Sequence, residues 1–415
     1  MQTDKQTLAA DPARLHSLDA VRAFALLLGV VLHATMSFFP GPRIWLVDDV
    51  SHSAALSLLF FVIHMLRMLT FFLLAGFVAR MSYQRMGTSS FFRDRAKRIG
   101  IPLLAGWPLL FAGIVVAVIV GAVMANGGKM PTEPPPPTSF AFRDFPLTHL
   151  WFLYFLVLFY ACIAVLRPLA NLLDRQGRAG WLRAGADRLT GFLLRQWAPV
   201  LLAAPLCLAL YLQPYWMMWF GIPTPDHGFV PLTSSFVAYG GAFAFGWLAQ
   251  RQPGVLELWK RRWLAHTGLA IGMTVACLAM AGATPLLMPV PQGPLKLAFA
   301  ACYSVGAWSW AFALLGLALR FLSGYSALRR YLADASYWIY LVHLPLVVLL
   351  QALLSQLAWP WFIKFPLLLA VAFVLMLASY AWLVRGTWIG VVLNGRRKAP
   401  APLPAHAVMS HAERA

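Results

Sequence analysis

The chain has 415 residues, of which 60% are hydrophobic and only 11% charged, with a formal net charge of +19 and a mean hydropathy of +0.70. Soluble domains run near 25% charged, so this composition excludes a large soluble domain and defines an all-α, polytopic membrane protein. The basic residues come in short clusters between apolar runs, the positive-inside pattern, which excludes a nucleic-acid-binding face.

Residues 1–17 read as a polar cytoplasmic tail, and no small-residue cleavage site follows the first apolar run, so a cleavable signal is not expected. The first spanning helix is predicted over about 19–39 and the second over about 53–79, separated by a loop with Gly41, Pro42, Asp48 and Asp49. The basic segment 91–99, FFRDRAKRI, is a short helix leading into a third span at about 101–124. A proline-rich loop over 126–146, with Pro134 to Pro137, precedes a fourth span at about 147–166. Residues 167–195 carry six arginines and an amphipathic stretch expected to lie at the membrane surface. Further spans are predicted at about 197–214, 232–249, 264–284, 295–319, 335–356 and 363–384. Residues 386–415 read as a disordered cytoplasmic tail with Arg396, Arg397 and Lys398. With ten spans and the N-terminus inside, 26 of the 33 Lys and Arg residues fall on the cytoplasmic side and five on the other. Both termini are therefore expected in the cytoplasm.

The first span, LDAVRAFALLLGVVLHATMSFF, contains two residues foreign to oil, Arg22 and His33. At 100° per residue, 11 positions return to within about 20° of one face, roughly 16 Å along the axis. Arg22 then sits at the mouth of the membrane, paired with Asp19 three residues before it, and His33 lies near the middle. Arg22 alone would serve equally as an interfacial anchor. An ionisable group at the depth of His33 points to a cavity, and a histidine carries protons near neutral pH.

Other candidates follow the same logic. His64 and Arg67 share a face of the second span, and so deep an arginine needs either a structural partner or an anionic substrate group. Arg95 and Arg98 mark the entry of the third span, as a stop-transfer cluster or a phosphate-capturing fork. His149 and Trp151 open the fourth span, where an aromatic belt or an acceptor-positioning pair is expected. His343, with Tyr337 and Tyr340 before it and Pro345 after it, puts polar groups on one stripe of the ninth span. Gly76 beside Ala75 permits close helix approach. Cys162, Cys207, Cys277 and Cys302 all fall in apolar runs without CxxC spacing, so neither a disulfide nor a metal site is expected. Phosphate-binding loops, serine-hydrolase elbows and zinc-protease motifs are absent.

In order, LDAVRAFALLLGVVLH with its Arg-x10-His pattern, FFLLAGF, RDRAKRIGIPLL, HLWFLYFL and ASYWIYLVHLPL resemble the acyltransferase-3 family of bacterial integral-membrane acyltransferases. The resemblance runs from about residue 15 to 385, which places one transmembrane domain over 18–385. FVIHMLRMLTFF, RIGIP and the lack of an added hydrolase-like domain are similar to the branch whose acceptors are osmoregulated periplasmic glucans. The family's usual Ser-Gly-Phe is Ala75-Gly76-Phe77 here, which removes a hydroxyl.

The resemblance implies a multi-pass enzyme of the bacterial inner membrane that uses acyl-CoA, as succinyl-CoA or acetyl-CoA, without a permanently bound cofactor. Its acceptor would be a glycan hydroxyl on the periplasmic side, and glucan synthesis or export machinery would be a partner besides the lipid bilayer. His33 would be the general base, with Arg22 and His343 in the catalytic set. Arg95 and Arg98 would bind the CoA phosphates. Asp19, His64, Arg67, His149, Trp151 and Tyr340 would contact substrate. Direct transfer and an acyl-enzyme or small carrier are both compatible with the residues. An exporter of an oligosaccharide or lipid-linked intermediate is the competing reading, since buried His and Arg suit transport too. Donor dependence separates the two, because a transporter moves its substrate unchanged and releases no CoA.

Overall fold

The computed structural model describes residues 12–132, 138–173, 180–194 and 198–395, and these residues form helices and loops with no β-strand. The predicted Pro134–Pro137 run and the tail cluster at 396–398 lie outside them. Helices stand at all ten expected places. They are α1 (Pro12–Thr35), α2 (Ala54–Met86), the short α3 (Thr88–Arg95), α4 (Ile101–Ala125), α5 (Trp151–Leu173), α6 (Gly180–Leu193) and α7 (Ala198–Leu212). After them come α8 (Thr233–Ala249), α9 (Val255–Ala281), α10 (Pro294–Phe321), α11 (Ala327–Ser355), α12 (Trp361–Ser379) and α13 (Trp388–Asn394).

Eight segments of the described residues are long and apolar enough to cross a bilayer on their own. Of the other two predicted spans, α7 has 15 residues and α8 has 17. Pro214 and Pro231, just beyond their ends, remove the backbone donors and dihedral freedom needed to extend them. The amphipathic stretch becomes α6. One expectation is corrected: residues 388–394 are not tail but the helix α13, whose Leu393 is buried. Seven residues with an apolar run gave too short a period to register as a helix.

The first helix is the hub, packed against α2, α10, α11 and α12. Ser53 starts α2 and Ser326 starts α11, each accepting a backbone N–H of the first turn at 3.4 Å. Gly87, at φ 76°, ends α2 and turns the chain into α3. A π-helical turn at Ala96–Gly100 then joins α3 to α4, within the segment that carries Arg98.

Small residues set the closest approach. A methyl group on Gly76 of α2 would collide with the Phe243 carbonyl of α8, and one on Gly246 of α8 would collide with the Leu73 carbonyl of α2. The two helices therefore lie glycine-on-backbone, as small-residue packing in membranes requires. Gly76 thus serves packing.

At the end of the bundle away from the arginine clusters, loop 40–53 folds over α1. Asp49 N–H donates to the Ser37 carbonyl at 3.0 Å, and Lys364 of α12 donates to the Asp49 carboxylate at 2.7 Å with both side chains buried. Burial pushes the Asp49 carboxyl above the usual carboxylate range, against the opposing hydrogen bond from Lys364. This buried pair clamps the loop to α1 and α12.

Candidate active site

Two cavities lie in line through the bundle. The central one is small, about 20 Å³, and is walled by α1, α2, α5 and α11 through His33, Arg67, His149, Trp151, Tyr340 and His343. Six of the eleven predicted site residues meet there, brought from four helices up to 310 positions apart. The His33 and His343 rings are 5.3 Å apart, and His343 and His149 are 5.1 Å apart.

Backbone bonds orient this group. His343 Nδ1 donates to the Tyr340 carbonyl at 2.7 Å, which leaves Nε2 with its lone pair and without a partner among the described residues. His149 Nε2 donates to the Leu341 carbonyl at 2.9 Å, and Tyr340 Oη donates to the His149 carbonyl at 2.9 Å. The Nδ1 of His33 is likewise unpartnered. These unused ring nitrogens are what a proton-transfer site requires.

Arg67 reaches across to α1 and rests on Gly29, one turn before His33, where a methyl group would displace the guanidinium. The Nε of Arg67 has no hydrogen-bond partner, and no carboxylate among the described residues pairs with the group. A structural partner was one expectation for this arginine, and among the described residues no carboxylate supplies it. Its free donors face a chamber in which an anionic or oxyanionic group would satisfy them.

The second cavity, about 300 Å³, lies toward the N-terminus of α1 and is lined by Arg22, Arg95, Arg98 and Arg330 with Asp19, Asp334, Tyr160 and Tyr337. Its arginines are held by ion pairs: Arg22 to Asp19 at 3.1 Å, Arg98 to Asp94 at 2.8 Å, Arg95 to Asp94 at 3.2 Å and Arg330 to Asp334 at 3.4 Å. Arg98 also donates to the Asn394 carbonyl of α13 at 3.2 Å, so the corrected tail helix forms part of the wall. Ala75 lines this cavity as well, so the hydroxyl absent at that position would have faced it.

Leu26, Phe71 and Phe152 belong to the walls of both cavities and form the apolar partition between them. Along α1 the order is Asp19 and Arg22 in the large cavity, Leu26 at the partition, Gly29 under Arg67, then His33. The single face predicted from the Arg22 to His33 spacing thus lines the whole route.

One placement differs from the expected shared face. His64 does not line the central chamber: it stacks on Phe60 at 5.4 Å and its ring nitrogens face Tyr303 Oη and Thr224 Oγ1. Three positions separate it from Arg67 by about 60° around α2, enough to turn it toward α10 instead of α1. Trp151, one of the chamber's residues, stacks on Tyr239 at 5.3 Å inside an aromatic cluster and is buried, so of its two readings the interfacial belt does not apply.

Sequence reasoning missed Trp45 and Gln351. Trp45 stacks on the His33 ring at 5.4 Å, and its indole N–H donates to Gln351 Oε1 at 2.9 Å. The Gln351 amide in turn donates to the His33 carbonyl at 2.9 Å. A polar Gln deep in the ninth apolar span was the available signal; a loop Trp offered none.

A buried set of histidines at mid-bundle, with an arginine that has no carboxylate among the described residues and an arginine-lined cavity beside it, suits an integral-membrane enzyme. The family described as acyltransferase domain, acyltransferase-3, matches residues 15–382, so the chain belongs to that family and is a membrane acyltransferase. The glucans biosynthesis protein C of Shigella boydii serotype 4 (strain Sb227) is 29% identical over 171 residues, 40% of this chain and 42% of that protein. Its namesakes in Escherichia coli, strains SMS-3-5 / SECEC and K12, are 29% and 28% identical over the same shares. The chain therefore spans less than half the length of these curated relatives. No solved structure matches it.

Proposed function

We propose that this acyltransferase moves a succinyl or acetyl group from cytoplasmic acyl-CoA to a hydroxyl of a periplasmic glycan, with osmoregulated glucan as the acceptor. The observation that carries the reading is the pair of in-line cavities that share Leu26, Phe71 and Phe152. The arginine-lined cavity suits the phosphates of CoA, through Arg95, Arg98 and Arg22, since arginine forks match phosphate oxygens. A thin arm crossing the partition would bring the thioester to His33.

His33 then takes the proton of the acceptor hydroxyl. The hydroxyl oxygen bonds to the thioester carbonyl carbon, the C–S bond breaks, and the departing thiolate takes the proton back from the imidazolium. His343, with Nε2 free in the same chamber, is placed to share that proton. Arg67 is placed either on the oxyanion or on the free carboxylate of a succinyl group. The basic clusters favour the arginine-lined end as cytoplasmic. A bacterial inner membrane, beside glucan synthesis or export machinery, is the setting this reading calls for.

The test is acyl content, by mass spectrometry, of periplasmic glucans and surface polysaccharides from a deletion strain complemented with wild type or His33→Ala. Loss of one acyl mass from one glycan, restored by wild type alone, is the expected result and names donor and acceptor together. Unchanged acylation of every glycan would remove the reading.

A further inference from the structure

A third cavity, about 310 Å³, opens at the end of the bundle opposite the arginine cavity; Arg43, Asp48, Asp49, His52, Ser355 and Gln356 form its polar wall, and loop residues with Gly121, Ala122 and Ala125 of α4 form an apolar one. Its size lies in the roughly 300–1,000 Å³ range of small-molecule sites. Its position relative to the chamber is fixed by two helices. Asp49 hydrogen-bonds the Ser37 carbonyl, and Ser37, in the 3-10 turn that follows α1, is four residues beyond His33. Ser355 is one turn of α11 beyond Gln351, whose amide donates to the His33 carbonyl. The cavity therefore begins about one helical turn, near 6 Å, past the catalytic histidine.

Trp45 lines neither cavity and touches the residues of both. Its ring covers His33, its indole N–H is held by Gln351, and its own loop supplies the cavity wall through Leu46 and Val47. Arg43 ties that loop in place, donating to the Trp45 carbonyl at 3.2 Å and to the Leu46 carbonyl.

The chemistry of the lining differs from that of the arginine cavity. Asp48 pairs with His52 at 3.3 Å, Asp49 is matched by Lys364, and Arg43 and Gln356 remain exposed at the rim. A polar wall of balanced donors and acceptors facing an apolar wall suits an uncharged molecule with hydroxyls on one side and a C–H face on the other, such as a sugar, better than an anion.

Building on the reading above, we infer that this cavity is the acceptor's binding site and that Trp45 is the plug between it and His33. A ligand that engages Arg43 competes with the two bonds holding the Trp45 loop, so binding loosens the plug. Closed, the plug keeps water off the thioester; open, it admits one hydroxyl to His33.

The experiment measures CoA release from succinyl-CoA by the full chain in lipid nanodiscs, with and without a soluble β-linked gluco-oligosaccharide as probe acceptor. Trp45→Ala should raise acceptor-independent release, which is hydrolysis by water, at least fivefold over wild type, and Trp45→Phe should stay nearer wild type. Gln356→Cys, modified with a bulky membrane-impermeant methanethiosulfonate, should lose at least tenfold in the ratio of acceptor-dependent to acceptor-independent release, and dithiothreitol should restore it. Hydrolysis within twofold of wild type in Trp45→Ala, together with an unchanged ratio after modification, would overturn the inference. If Trp45→Ala does not fold, the modification arm decides alone. Failure of the donor reading shows separately, as no CoA release by the wild-type protein from either succinyl-CoA or acetyl-CoA.

Discussion

The arginines of the two in-line cavities live in opposite circumstances. In the large cavity Arg22, Arg95, Arg98 and Arg330 each have a carboxylate within 3.4 Å. In the central chamber Arg67 has none among the described residues. Paired, partly exposed arginines contribute about 0–1 kcal/mol each and can exchange their carboxylates for another anion at little cost. A lone guanidinium inside the bundle costs several kcal/mol of lost hydration. On the proposed reading a group that arrives with the substrate offsets that cost, so the arginine-lined cavity serves binding and the central chamber serves chemistry.

The sharpest test of that division is His33→Ala. Loss of a general base should lower turnover by about 10²–10⁴-fold. Retention of CoA, measured by equilibrium binding, should stay close to wild type, because no atom of His33 lines the arginine cavity. Loss of CoA binding together with turnover would break the separation of the chambers.

Arg67→Gln comes next. A hydrogen bond to a charged partner contributes about 1.5–3 kcal/mol, so succinyl transfer should fall roughly tenfold to a hundredfold more than acetyl transfer. Thermal unfolding should move to higher temperature, since a buried unpaired charge is removed. An equal loss for both donors would leave Arg67 on the oxyanion, and a lowered unfolding temperature would mean that it is structural after all.

Smaller effects are expected in the arginine cavity. Arg95→Gln should raise the KM for acyl-CoA by about three- to tenfold with kcat held within about twofold, in keeping with a partly screened phosphate contact. The difference from wild type should shrink as salt is raised, and a fall in kcat at constant KM would contradict a binding role. Smallest of all is Ala75→Ser, which adds one hydroxyl to the wall of that cavity. A single neutral hydrogen bond of about 0.5–1.5 kcal/mol bounds the change in KM at roughly tenfold, and steady-state kinetics would read it.

Helix positions and the polar face of α1 were legible because both are periodic properties of a short stretch. Arg22 and His33 fall on one face by arithmetic, and the histidine at 343 stood out as a titratable group in an apolar run. The neighbours of His64 were not legible, because three helical positions share a face only loosely and which neighbour a side chain meets depends on where α10 packs. The α13 wall was read as tail because seven residues carry too little pattern.

The sequence alone determined that this is a membrane bundle, which segments are helices and which ionisable residues must avoid lipid, since all of these follow from transfer free energy and helix geometry along one strand of chain. Only the tertiary structure decided which of those residues meet. It placed His33, His343, His149 and Arg67 in one chamber, left Arg67 without a carboxylate among the described residues, set Leu26, Phe71 and Phe152 between two cavities, and laid the loop tryptophan Trp45 over His33. Those are contacts between residues tens to hundreds of positions apart, and they are fixed by how glycine-lined helices pack, a property that no local pattern records.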